Sequence, residues 1–223
     1  MAEEAAANER LLRWCGMALV VADPWIVAAA LLHPSRETAA TIMASESRLV
    51  AAHVLFTLYG VLVMLGLPGL YAAHRGGMGR LGLTGFLVAM LGTYLIAVTG
   101  YFGFMAPVLA REAPATLDTT IQYPPVVVSS GVAAITFIAG YALFGIAMTR
   151  TATLPRLSGV LVAVGGPMHL LSFGISQLVS TAVWVLAVIG AASLGSGLAL
   201  AGYRLWRSPA PLRQPSSDKQ TPV

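Results

Sequence analysis

Apolar residues run along this chain in long blocks free of charge, separated by short connections that carry most of the ionic side chains. A helix crossing the hydrocarbon layer needs about 20 mostly apolar residues at about 1.5 Å rise each, so the blocks measure the spans. Trp14–His33 is interrupted only by Asp23, while Leu49–Ala73, Leu81–Ala110 and Thr119–Thr149 each hold one span with its flanks. The uncharged run Leu157–Tyr203 is about twice what one span requires, which predicts a turn between Ser176 and Thr181. The expected fold is all-α: a polytopic transmembrane bundle of six helices at about 11–33, 49–73, 81–106, 126–149, 157–176 and 182–203, forming one membrane domain over 1–205.

Cationic residues orient the bundle, because short loops rich in Lys and Arg stay in the cytoplasm. One side collects Arg10, Arg13, Arg75, Arg80, Arg150, Arg156, Arg204, Arg207, Arg213 and Lys219; the other holds only Arg36, Arg48 and Arg111. Both termini are therefore expected in the cytoplasm. Trp14, Tyr71, Tyr203 and Trp206 fall near the inner interface, and Tyr101 and Tyr123 near the outer one, as amphipathic rings prefer. The Pro- and Ser-rich residues 206–223 read as a disordered cytoplasmic tail.

Composition agrees with this threading. Of 223 residues, 57% are apolar and only 10% charged, against about 25% charged in a soluble domain; mean hydropathy is +0.78. The net charge of +4 follows from topology and marks no nucleic-acid partner, since no basic stripe with interleaved aromatics lies outside the membrane ends. Cys15 is the only cysteine, so no intrachain disulfide forms. Arg10, Arg13 and Ala28-Ala29-Ala30 loosely resemble a signal peptide, but the leading glutamates and Asp23 favour retention as the first helix. Small residues four apart, such as Gly85 and Ala89 or Ala191 and Gly195, predict close packing of the third and sixth helices.

Polar groups inside the spans carry the candidate chemistry. Asp23 lies about 18 Å above the predicted inner interface, where an acidic side chain costs about 2.5–3.5 kcal/mol. Pro24 follows it and frees a backbone carbonyl. His169, within Gly165-Gly166-Pro167-Met168-His169, and Tyr94 share the computed depth, and the Gly-Pro run predicts a kink or broken segment. The expectation is a buried polar or ligand site of Asp23, His169 and Tyr94. Two readings of it stand: a proton-relay or ligand site, and a hydrogen-bond network that only locks helices.

His53 and His169 are the pair that would bind a haem b, although they differ by one to two turns in depth and fit bis-imidazole ligation poorly. No HxxxH or ExxH spacing appears, so no metal site is predicted, and His33 and His74 read as interfacial residues. No catalytic residue is assigned. P-loop, dinucleotide, CxxCH and HExxH motifs are missing from the sequence, and the sole lysine, Lys219, rules out a retinal-type Schiff base within a helix.

The chain resembles a group of uncharacterised six-helix bacterial inner-membrane proteins. The resemblance rests on His53 opening helix two, Leu67-Pro68-Gly69-Leu70-Tyr71, Arg80-Leu81-Gly82-Leu83-Thr84-Gly85, Pro107, and Pro155-Arg156-Leu157-Ser158-Gly159, and it covers most of 10–205. It implies an inner (plasma) membrane location and transfers no activity. The expected role is transport or binding of a small molecule or proton within the lipid bilayer, in a homo-oligomer because six helices are few for alternating access. The alternatives are a haem- or quinone-binding electron-transfer subunit, an intramembrane enzyme acting on lipid or isoprenoid, and a non-catalytic scaffold.

Overall fold

The computed structural model describes residues 2–209, and every regular element among them is helical. In chain order these are α1 (Ala2–Leu32), α2 (Ala39–Ala44), α3 (Glu46–Gly100), α4 (Phe102–Glu112), α5 (Pro114–Gln122), α6 (Pro124–Thr149), α7 (Arg156–Leu178) and α8 (Trp184–Arg207); a 3₁₀ turn at Thr181–Val183 precedes α8. Five helical stretches are long and apolar enough to cross a bilayer. One of them makes two crossings. Gly79, with φ 59° and ψ −156°, breaks the helical path of α3, and glycine takes this conformation at little cost because it has no Cβ. The arms 46–78 and 80–100 fold back on each other, so that Tyr71 stacks on Phe86 with centroids 4.8 Å apart.

Consecutive crossings pack side by side and α8 closes on α1, giving a ring of about six helices in chain order. Within lipid there is little hydrophobic drive between helices, so small residues that let backbones approach decide the contacts. A methyl group on Gly140 would strike the backbone of Ala89, one on Gly92 that of Phe137, and one on Gly202 the Gly16 carbonyl. Leu19, Ile26, Tyr59, Leu67, Tyr141, Phe144, Leu194 and Leu198 fill the interior, whereas Leu65, Leu87, Ile135, Val160 and Leu186 are exposed on the outside. That apolar exterior suits acyl chains.

The turn expected between Ser176 and Thr181 falls at Val179–Ser180. Three other expectations need adjustment. The third crossing stops at Gly100 instead of 106, and the following stretch forms α4 and α5. With α2 these make a lid at one end of the ring, held by Ile42, Leu49, Ala106, Ala110 and Leu117 and by an Arg111–Glu46 ion pair of 2.6 Å. Pro167 lies inside an unbroken α7, so of the kink or broken segment expected there the break does not form. Gly165 and Gly166 instead admit Leu194 of α8 and the side chain of Tyr141, and neighbouring helices support the freed backbone. Of the expected tail 206–223, Trp206 and Arg207 belong to α8, and 210–223 lie outside the described residues.

Candidate functional site

Pro34 disfavours helical backbone at the residue before it, and α1 accordingly ends at Leu32, leaving His33 at the mouth of the ring beneath the lid. His33 is 3% exposed. Its Nδ1 lies 2.8 Å from the Pro34 carbonyl. A carbonyl can only accept, so Nδ1 carries the hydrogen and donates it. Nε2 then faces Glu37 Oε1 at 3.2 Å. His53, 8% exposed on α3, repeats the arrangement by donating from Nδ1 to the Leu49 carbonyl at 2.9 Å. The two imidazoles lie with centroids 5.2 Å apart, and one ligand atom from each of His33, Glu37 and His53 falls within 4.8 Å of the others.

The surroundings fix these groups. Trp184 stacks on His33 at 5.5 Å and Phe173 meets its edge at 5.4 Å; Phe104 lies 6.0 Å from His53. Gly103 of α4 abuts the His53 ring so closely that a methyl group there would collide with Nε2. Glu37 sits in the connection from α1 to α2, and Gln177, near the end of α7, holds that connection from both sides. Its Oε1 accepts from the Glu37 amide at 2.9 Å, and its Nε2 donates to the Ser35 carbonyl at 3.3 Å. Burial alone would raise the Glu37 carboxyl, but the hydrogen bond from His33 and the charges of His33 and His53 outweigh it and hold the group below its ordinary range.

Of the residues singled out from sequence, His53 belongs to this group and His169 borders it. His169 is 5% exposed and donates from Nδ1 to the Ala187 carbonyl at 2.8 Å. Phe56 stands beside both rings, 6.3 Å from His53 and 6.0 Å from His169. The nearest imidazole partner of His53 is therefore His33, and a haem pairing of His53 with His169 gains no support. Asp23 and Tyr94 do not join His169. Tyr94 is 53% exposed on the outer face. Asp23 packs against Gly195, whereas His169 packs against Gly190 and bonds Ala187, levels about 8–12 Å apart along α8. Equal residue counts had suggested a cluster, but rotation turns Tyr94 to the outside, and axial offset between the helices brings Asp23 and His169 to different levels of α8.

Glu37, Gln177, Gly103 and Trp184 escaped the reading of the sequence. One signal was present: His33 and Glu37 are four apart around Pro34, a His-x₃-Glu spacing outside the patterns considered. Comparison with protein families, characterised proteins and solved structures returned no match, so the functional argument rests on the geometry.

Proposed function

We propose that this multi-pass membrane protein binds a divalent transition-metal ion of the zinc type through His33, Glu37 and His53, and that its role is ligand handling at the mouth of the bundle. One observation carries the reading: with Nδ1 of His33 donating to a carbonyl, the position between Nε2 and the Glu37 carboxylate favours a positive charge. A proton fills it when His33 is an imidazolium. A metal ion fills it when both imidazoles are neutral, and His53 Nε2 then supplies the third bond.

The donor set supports this. Two imidazoles and one carboxylate form a zinc-binding set that leaves a fourth position open for an exchangeable ligand. Metal-binding histidines usually donate their second ring hydrogen to a carbonyl or carboxylate, which fixes tautomer and orientation; His33 and His53 both do so. Tetrahedral bonds of about 2.0–2.1 Å place ligand atoms roughly 3.3 Å apart. The His33–Glu37 separation of 3.2 Å already meets this, and the other separations, within 4.8 Å, close by about 1.5 Å or less. Bound there, the ion would supply a Lewis-acidic positive charge beside the aromatic rings of Trp184, Phe173 and Phe104.

The distribution of arginines supports a placement of this mouth on the extracytoplasmic side, with both termini in the cytoplasm, and the resemblance seen in the sequence implies a bacterial inner membrane. Metal content and calorimetric zinc titration of the purified full chain test the proposal. The expected result is about one zinc per chain, with affinity at least roughly 10-fold weaker in His53→Ala and in Glu37→Gln, the lower end of the loss seen when outer partners of a metal ligand are removed. Equal affinity in wild type and both variants overturns it.

A further inference from the structure

The end of the bundle opposite the histidines holds a pocket of a different character. Arg10, Arg13, Trp14 and Met17 of α1 and Trp206 of α8 line a space of about 230 Å³. The four residues of α1 are spaced i, i+3, i+4 and i+7, which places them on one face of the helix. Packing brings Trp206 to them. At Gly16 the two backbones run so close that a methyl group would strike the Gly202 carbonyl and the Trp206 amide, and the missing side chain is what permits this approach.

The lining changes in order along α1. Met17 lies about 10 Å further into the bundle than Arg10, at about 1.5 Å per residue, with Arg13 and Trp14 between them. From the end of the helix inward the pocket therefore passes from guanidinium to indole to an apolar side chain. Its polar side chains, two guanidinium groups and two indoles, can donate hydrogen bonds and cannot accept them. No carboxylate lines it. Glu9, close by, takes Arg13 in an ion pair of 2.6 Å, whereas Arg10 enters no ion pair among the described residues. Trp14 and Trp206 are both exposed, at the level where indoles favour the boundary between headgroups and acyl chains.

We infer that this pocket binds the headgroup of an anionic phospholipid. The phosphodiester lies beside Arg10 and Arg13, the glycerol esters at the indoles of Trp14 and Trp206, and an acyl chain over Met17. A phosphodiester brings acceptors and a negative charge to a lining that has only donors, and guanidinium groups meet phosphate with paired hydrogen bonds. Basic pockets between membrane helices are suited to such headgroups. A zwitterionic headgroup carries its own cation toward the unpaired charge of Arg10, so charge selects the anionic class. A free phosphate would use the arginines and leave the indoles and Met17 uncovered. The inference stands apart from the metal reading, since none of its residues is a proposed ligand.

Native mass spectrometry of the full chain, released from detergent containing equal amounts of phosphatidylglycerol and phosphatidylcholine, tests it. The expected result is one phosphatidylglycerol retained per chain, preferred over phosphatidylcholine by roughly 5-fold, the scale set by one arginine near an anionic surface. The preference should be lost in the double variant Arg10→Gln, Arg13→Gln. Arg75→Gln with Arg80→Gln removes the same charge from residues outside the pocket and should keep it. Equal retention of the two lipids by wild type overturns the inference. So does a preference that survives the first double variant, or one that both double variants lose equally, which would make it a property of net charge. If the first double variant does not fold, wild type decides alone with both lipids brominated in their acyl chains. Stronger quenching of tryptophan emission by the brominated phosphatidylglycerol is then expected, and equal quenching overturns the inference.

Discussion

Trp184 lies face to face with His33, ring centroids 5.5 Å apart and planes 26° from parallel, which joins the start of α8 to the end of α1 at the mouth of the bundle. A positive charge on that imidazole, from a proton or a metal ion, sits against the face of the indole and is attracted by its quadrupole. Adding zinc, or acidifying, should therefore change tryptophan emission. In Trp184→Phe the other three tryptophans remain and the response should vanish. A zinc response of the same size in Trp184→Phe would dissociate the stack from the site.

Glu37 sets a pH dependence whose sign follows from its position. Its folded-state carboxyl is held below the ordinary range, near pH 4.3 for glutamate. The stabilisation is complete above that ordinary value and is lost as pH falls through the lower folded value. Thermal melts in strong acid should therefore show wild type losing its advantage over Glu37→Gln, with the two converging at the acid end. A difference that stays constant down through the acid range would count against the pairing. Zinc affinity should also weaken on acidification, because an imidazole must be neutral to serve as a metal ligand.

Gly103→Ala tests whether the space beside His53 Nε2 is required. The added methyl group collides with the ring, so the imidazole has to turn away. Overpacking of this kind costs about 1–3 kcal/mol, and zinc binding should fall together with the melting temperature. Ala106→Val, in the lid cluster on the same short helix, serves as the packing control: it should lower stability by a similar amount while keeping zinc affinity.

Gln177→Leu removes the two bonds that hold the connection carrying Glu37. A buried group left without its partner costs about 1–3 kcal/mol. The expected result is weaker zinc binding with the ion still coordinated, visible as a smaller association constant at unchanged stoichiometry. Unaltered affinity would show that Glu37 keeps its place without α7.

Gly140→Val addresses the fold alone. Its side chain would enter the Ala89 backbone, where α6 and the second arm of α3 lie closest. Separating them should lower the melting temperature of the detergent-solubilised chain, and the loss should exceed that of Gly131→Val, where nothing lies within 4 Å.

Spans, their number and the close-packed small residues were legible in the sequence because each depends on local quantities: length without charge, and side-chain size at fixed spacing. The reversal near Val179 followed from length alone, since no single helix could hold Leu157–Tyr203 in one crossing. Depth along a helix is likewise a linear count, and it placed Asp23, Tyr94 and His169 at one level. A count of residues ignores rotation and axial offset: the roughly 100° between consecutive helical residues puts Tyr94 on the outside while Thr93 enters the interior, and Asp23 and His169 meet α8 at different levels. The His33–Glu37–His53 group lay beyond reach for a related reason: Glu37 comes from a connection shaped by Pro34 and held by Gln177, 140 positions away. The sequence by itself determined that the chain forms a bundle of apolar helices, because the bilayer accepts little else from such blocks. The tertiary structure alone decided which polar side chains meet, because packing of the ring sets helix rotation, and rotation brings together residues far apart in the chain.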